Sequence, residues 1–259
     1  MHIVFIGGPQ RSGTTLLQTL LANALGHDHI LPEANFICKL MELYQHGLKN
    51  WLKTSGFFRD QDDFRNYVQS FIRTNLESIQ KYCVHSNYIV LKDPNFVLLI
   101  DWALELFPNS TFFYCIRDPR DIVCSFLKIE EREKNLKAQR ELYKNRNVSY
   151  YCSKIKKNYR AFIRSNFEPI ICKYEDLVTE PIVELKRLSN ISGLPLTLQK
   201  LDNLKWTNAS VRHKASWISP LEEKEPTAES VGSYNNCLRN KEILLVQKKC
   251  RAIFNKFGY

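Results

Sequence analysis

Several absences narrow what this chain of 259 residues can be. No apolar stretch approaches the roughly 20 residues that a membrane-crossing helix needs. Met1 leads straight into the apolar run Ile3-Val4-Phe5-Ile6. With no basic n-region and no small-residue cleavage site, a signal peptide is not expected. The eight cysteines (Cys38, Cys83, Cys115, Cys124, Cys152, Cys172, Cys237 and Cys250) contain no C-x-x-C pair. That spacing does not suggest zinc, and no metal is expected to be required. Cys115 and Cys172 fall in strand-like runs, where a thiol behaves as a small hydrophobe. Reduced thiols in a cytoplasmic protein are the simplest expectation. No internal repeat or low-complexity linker divides the chain, so one α/β domain over residues 1–259 with a substantial core is expected.

Acidic residues are also in deficit. Lys and Arg number 37 against 27 Asp and Glu, a formal net charge of +10. Such an excess speaks of partners and not of fold. No nucleic-acid-reading module is visible, so nucleic acid is not an expected partner. The excess concentrates from Lys128 to Arg164 and from Lys241 to Lys256. These segments read either as solvated helix faces or as a surface for an anionic, macromolecular acceptor. Oligomeric state is not legible. Sequons at Asn109, Asn147, Asn190 and Asn208 are short enough to arise by chance.

What is present begins with the first strand. Ile3-Val4-Phe5-Ile6 leads into Gly7-Gly8-Pro9-Gln10-Arg11-Ser12-Gly13-Thr14-Thr15, and the apolar stretch Leu16-Leu17-Gln18-Thr19-Leu20-Leu21 follows. Buried strand, glycine-bearing loop and helix start, in that order, aim backbone N–H groups and the positive end of a helix at one anion. Gly8 to Gly13 has the spacing of a nucleotide-triphosphate loop, but Thr14 stands where that loop has its lysine. The cation is instead Arg11, inside the loop.

A basic residue followed by Ser-Gly-Thr-Thr after a strand resembles the 5′-phosphosulfate loop of the sulfotransferases that use 3′-phosphoadenosine 5′-phosphosulfate (PAPS). A second match follows the strand-like Thr111-Phe112-Phe113-Tyr114-Cys115-Ile116. Arg117-Asp118-Pro119-Arg120-Asp121-Ile122-Val123-Cys124-Ser125 resembles the family's 3′-phosphate motif, in which Arg117 and Ser125 grip that phosphate. An Arg at a strand end and a Ser eight residues on, in the next helix, can converge on one anion. Either motif alone is an ordinary loop or turn. Their order, each behind a strand, is what carries the resemblance.

The resemblance implies a set of roles. Arg11 stabilises charge at the bridging oxygen of the 5′-phosphosulfate. Ser12, Gly13, Thr14 and Thr15 bind the 5′-phosphate. Leu91-Lys92-Asp93-Pro94 resembles the Lys-Asp-Pro of protein-tyrosine sulfotransferases, with Lys92 supporting the transferring sulfuryl group; the alternative is a solvated lysine paired with Asp93. Glu33 matches those enzymes' general base, or is simply an acid favoured by a helix N-terminus. His27, His29 and His85 are alternative bases. Lys173-Tyr174-Glu175-Asp176-Leu177 resembles a core-strand end whose Tyr174 lies near the adenine. Ser230-Val231-Gly232-Ser233-Tyr234 resembles a late Ser-x-Gly-Arg-Trp segment in which Ser233 replaces the arginine; Ser230 is a candidate for contacting the sulfuryl group. Eukaryotic members are often Golgi-anchored, so a lumenal domain trimmed of its anchor is an open alternative location.

The coarse periodicity predicts a P-loop-type parallel sheet with helices on both faces. Residues 2–25 are expected as strand, phosphate loop and helix, with further strands at 88–91, 111–116 and 169–174 and a brief one at 29–31. Helices are expected at 36–48, 64–82, 95–106, 119–129, 150–166, 181–192 and 241–257. Segment 130–147 reads as an exposed helix or flap, and 198–227 as irregular. In-line transfer of a sulfuryl group from PAPS to an acceptor hydroxyl, with PAP released, is the expected reaction. A glycan, a tyrosine and a small alcohol or phenol all suit it. A P-loop kinase or NTPase, and a non-catalytic module binding PAP or another polyanion, are the alternatives.

Overall fold

The computed structural model describes residues 1–81, 86–135, 147–196 and 225–259. Among the described residues, four parallel strands form the sheet: β1 (His2–Gly7), β2 (Tyr88–Lys92), β3 (Thr111–Ile116) and β4 (Ile170–Lys173), in the order β2-β1-β3-β4. The helices are α1 (Thr14–Ala24), α2 (Asn35–Lys49), α3 (Trp51–Thr54), α4 (Gln61–Gln80), α5 (Ile100–Leu106), α6 (Pro119–Asn135), α7 (Val148–Arg164), α8 (Tyr174–Thr179), α9 (Pro181–Ser192) and α10 (Asn240–Phe257). The parallel α/β architecture is as expected from the alternation of short apolar runs with helical patterns.

The strands read as apolar on both sides because both sides are covered. One face presents Val4, Ile6, Val90, Phe113, Cys115 and Cys172 to α1, α8 and α9. The other presents Ile3, Phe5, Ile89, Leu91 and Phe112 to α2, α4 and α5. Farther along that face, Tyr114 and Ile116 meet α6, α7 and α10. The period of two along each strand sorts these side chains.

Register places the site. Ile6 of β1 is paired with Lys92 of β2 and with Phe113 of β3. Ile116 of β3 is paired with Lys173 of β4. The segments that follow all four strands therefore emerge at one end of the sheet. Strands β2 and β3 lie on opposite sides of β1, which makes the carboxyl end of β1 a topological switch point, the usual ligand crevice of an open α/β sheet.

The local signals account for most boundaries. Asp60 caps α4, its carboxylate accepting from Asp63 N. Asn147, the sequon asparagine, caps α7 by accepting from Tyr150 N. Gly193 ends α9 in the left-handed region. Several expectations are corrected. Residues 29–31 are irregular and not a strand: the chain runs from His27, whose ring meets the Tyr88 carbonyl, to Ala34, whose N–H meets the Lys92 carbonyl, without pairing to β2 in between. The expected helix 95–106 is a 3₁₀ turn over Pro94–Leu99, capped by Asp93, that passes into α5. Tyr174 leaves β4 to start α8. Helix α6 runs on to Asn135, and Glu130 is buried where Tyr151 O–H donates to it. Its amphipathic face continues past the point where the charge density suggests solvent. Residues 198–224 of the expected irregular stretch and 136–146 of the expected flap lie outside the described residues. No helix among the described residues is long and apolar enough to cross a membrane.

Phe5 is fully buried and meets Phe96, Phe107 and Phe112. Its replacement by Ala should cost about 3–5 kcal/mol of stability in urea unfolding. Leu52, 92% exposed, is the contrast. Leu52→Ala should change stability by less than about 0.5 kcal/mol.

Candidate active site

The loop between β1 and α1 is built by unusual backbone. Gly8 has φ 149° and Gly13 has φ 96°. A Cβ on Gly8 would overlap the Cys115 carbonyl, and one on Gly13 would overlap the Tyr174 ring. Arg11, with φ 71°, is the one non-glycine residue at positive φ among the described residues. Such a residue costs of order 1–3 kcal/mol and needs its surroundings to hold it. Left-handed turns of this kind gather N–H groups into an anion-binding concavity. Helix α1 starts at Thr14 with no side-chain cap, so its dipole end opens into the same space. The Ser12 hydroxyl is buried there without a hydrogen-bond partner. The Cys115 thiol of β3 donates to the Ser12 carbonyl at 2.9 Å and fastens the loop to the sheet.

Arg117, just after β3, is 6% exposed. Its Nη1 donates to the Arg11 carbonyl at 3.1 Å and its Nη2 to the Ser230 carbonyl at 2.7 Å. The guanidinium lies 4.3 Å from the centre of the Tyr174 ring. Its Nε is buried without a partner. Arg11 turns its side chain toward α6, donating from Nε to Ser125 Oγ at 3.0 Å. The two motifs of the sequence, 114 residues apart at this contact, thus meet directly. Tyr174 O–H and Ser230 Oγ share a hydrogen bond of 2.6 Å. Arg11, Ser125, Arg117, Tyr174 and Ser230 are one connected group. Buried donors without acceptors beside an uncapped helix N-terminus fit a ligand bearing more than one anionic group.

On the other side of the loop, Lys92 ends β2. Its side chain is 3% exposed, and its Nζ donates to Glu33 Oε1 at 2.7 Å. The expected alternative partner, Asp93, instead accepts from Asn95 N at 2.8 Å. Burial raises the Asp93 carboxyl above its ordinary range. Ala34 N donates to the Lys92 carbonyl, which ties the chain carrying Glu33 to the end of β2. Ser230, expected near the sulfuryl group, is bonded to Arg117 and Tyr174 and not to Lys92 or Glu33.

The histidine alternatives are not in this place. His27 is buried, with Nε2 3.1 Å from the Tyr88 carbonyl. Tyr88 opens β2 while Lys92 closes it. At about 3.3 Å per residue the two ends are roughly 13 Å apart. The His27 ring also contacts the His29 backbone at that far end. His85 lies outside the described residues.

Two carboxylates that sequence reasoning did not single out organise the surroundings. Glu175 accepts from Asp118 N at 2.9 Å and from Tyr259 O–H at 3.0 Å. Burial raises its pKa. Asp121, in the first turn of α6, is 1% exposed and accepts from the loop around Gly232. Its signal in the sequence was an acid set directly before the apolar Ile122-Val123. Arg120 pairs with Asp118 at 2.5 Å and lies over the Tyr234 ring.

The sequence matches the model of the family described as the Sulfotransferase family over residues 4–198. A Caenorhabditis briggsae protein provisionally named a protein-tyrosine sulfotransferase is 28% identical over 221 residues, 81% of this chain and 72% of that protein. The Drosophila melanogaster protein-tyrosine sulfotransferase is 32% identical over 128 residues, 49% of this chain and 25% of that protein. Most of that relative's length is therefore outside the match. Among solved structures, the sulfotransferase domain from the curacin biosynthetic pathway aligns with 96% of this chain and 97% of its own length, with a TM-score of 0.59 at 17% identity. That likeness is one of fold.

Two outcomes follow from the geometry. Gly13→Ala and Tyr174→Ala should each destabilise the protein, and the double variant should be less destabilised than their sum, with a coupling of about 0.5–3 kcal/mol in a denaturation cycle. Glu175 contributes a pH dependence of definite sign. Its folded pKa lies above the reference value of 4.5, so the folded state holds the proton longer. Stability is then lost as pH rises from about 4.5 through the folded value. Glu175→Gln should flatten that decline when urea midpoints are compared across pH 4 to 8.

Proposed function

The chain belongs to the sulfotransferase family, and from that premise we propose that it moves a sulfuryl group from PAPS to an acceptor hydroxyl and releases PAP. The observation that carries the donor assignment is the joining of two anion-seeking motifs through Arg11. Arg117 holds its backbone carbonyl and Ser125 meets its side chain. A nucleotide with separate 5′ and 3′ anions is the ligand whose chemistry such a double site suits. We read residues 1–259 as one domain serving this reaction.

PAPS, when bound, supplies an activated sulfuryl group on a phosphate leaving group. The N–H groups at the start of α1, with Ser12, Gly13, Thr14 and Thr15, hold the 5′-phosphate. Arg11 serves the oxygen that gains charge as the bond to sulfur breaks, which requires it to leave Ser125. Arg117 and Ser125 hold the 3′-phosphate, the buried Nε gaining an acceptor it otherwise lacks. Tyr174 flanks the adenine side of Arg117. Lys92 supports the sulfuryl oxygens, and Glu33 takes the proton of the acceptor hydroxyl. The contact between them keeps the carboxylate at the carboxyl end of β2. Ser230 orients Tyr174 and Arg117 and is a supporting member of the site. Arg11 and Lys92 supply the positive charge that the transfer needs. The acceptor is a hydroxyl of a glycan, a tyrosine or a small alcohol or phenol; the names of the relatives favour a tyrosine.

Calorimetric titration with PAP and 5′-AMP tests the donor. The wild type should bind PAP at least about tenfold more tightly than 5′-AMP, the scale of one charge-assisted contact, and Arg117→Ala should abolish the difference. Equal affinities in well-folded wild-type protein would remove the PAPS reading. With labelled PAPS and an accepted hydroxyl compound, Glu33→Gln should lower kcat by about 10²–10⁴ while PAP binding persists. Unchanged turnover would reassign the base.

A further inference from the structure

Asp121 has no part in the reaction just described, yet it is among the most constrained carboxylates of the molecule. It lies 1% exposed in the first turn of α6. Its Oδ2 accepts from Gly232 N at 2.8 Å. Its Oδ1 accepts from Tyr234 N at 2.9 Å and from Ser233 Oγ at 3.2 Å. Three consecutive residues of one loop thus converge on one carboxylate. Gly232, with φ 70°, supplies the left-handed turn that lets them do so. One turn farther along α6, the Cys124 thiol meets the Ser233 carbonyl and hydroxyl.

The same loop begins at Ser230, whose carbonyl receives Arg117 Nη2 and whose hydroxyl meets Tyr174. The chain of contacts is short: Asp121 fixes residues 232–234, these fix Ser230, and Ser230 fixes one fork of Arg117. A guanidinium is useful for reading an anion only when its donors are held in a set direction. Arg117 has two nitrogens engaged by carbonyls, of Arg11 and Ser230, and keeps Nε without a partner. Release of the Ser230 carbonyl would leave Arg117 with one hydrogen-bonded nitrogen, to the Arg11 carbonyl, and with a Tyr174 ring whose own hydroxyl tether to Ser230 is weakened. Ser125 would be untouched, since it meets Arg11 and not the loop.

We propose that Asp121 is a positioning residue for 3′-phosphate discrimination: it anchors the 232–234 loop so that Ser230 holds Arg117 in its reading orientation. The inference rests on the PAPS reading above. It assigns specificity to a carboxylate that touches no ligand, and it makes the late loop a brace for the reader.

Asp121→Asn is the informative change. The amide keeps one acceptor oxygen but turns an N–H₂ toward backbone N–H groups, so the loop loses at least one bond and gains a donor–donor contact. PAP and 5′-AMP are titrated against wild type and variant. The expected result is an affinity for PAP that falls about tenfold or more, with 5′-AMP affinity changed by less than about threefold, the scale of one lost hydrogen bond to a charged group. A merely structural role would weaken both nucleotides together, and that result, or a PAP preference kept within twofold, overturns the proposal. Hydrogen exchange gives a second readout on the unliganded protein. Gly232 and Tyr234 amides should lose protection in Asp121→Asn while those of β1 and β3 keep it; unchanged protection at 232 and 234 also counts against it. Should Asp121→Asn fail to fold, Asp121→Glu, which keeps the charge but displaces it, takes its place in both measurements. If wild type itself does not prefer PAP, the PAPS reading has failed and this one with it. If wild type prefers PAP and the variant does too, only the role of Asp121 is lost.

Discussion

The guanidinium of Arg117 joins three stretches of chain that are otherwise remote. It binds a carbonyl of the phosphate loop 106 residues before it and one of the late loop 113 residues after it. It also lies against Tyr174, which follows the edge strand β4. Burying an always-charged group is unfavourable unless dipoles and rings replace its water. Two carbonyls and an aromatic face do so here. The arrangement holds only if β1, β3 and β4 keep their register, because each of the three partners leaves the sheet near the carboxyl end of a strand or packs beside one. The site therefore depends on the fold through a single side chain more than through any one loop.

The second charged centre is built on different terms. Lys92 and Glu33 are 59 residues apart and meet with the lysine almost fully enclosed and the carboxylate partly open to solvent. An enclosed ion pair is a weak source of stability, but removal of one partner leaves an uncompensated charge. In the proposed reaction, an acceptor would approach Glu33 from that open side. Between the two centres runs the phosphate loop, so cations flank it from both neighbouring strands.

What could be read from the sequence was local. The order of β1, loop and α1 is written in consecutive residues, and the run Thr111–Ile116 with the motif after it is equally compact. The parallel sheet follows from the alternation of such runs. What could not be read were pairings at long range with a competitor close by. Lys92 has Asp93 next to it, yet the backbone turn into the 3₁₀ segment claims that carboxylate for Asn95 N. His27 sits near Glu33 in sequence, but the irregular stretch between them crosses from one end of the sheet to the other. Tyr174 belongs to an apolar run and looks like strand, whereas its ring is needed against Gly13 and Arg117. Asp121 had only its apolar neighbours to mark it, because its three partners come from more than a hundred positions away.

The contact between Gly13 and Tyr174 has a consequence for how such a protein changes over time. The missing Cβ of one residue is the seat of the other's ring, across 161 positions of chain. The phosphate loop is therefore not a portable cassette. Transplanted into a scaffold without an aromatic at that place, it would carry its backbone shape but not the ring that packs against Gly13. Across descendants of this chain position 13 should stay glycine wherever an aromatic ring stands at 174, because the positive φ and the ring each exclude a Cβ.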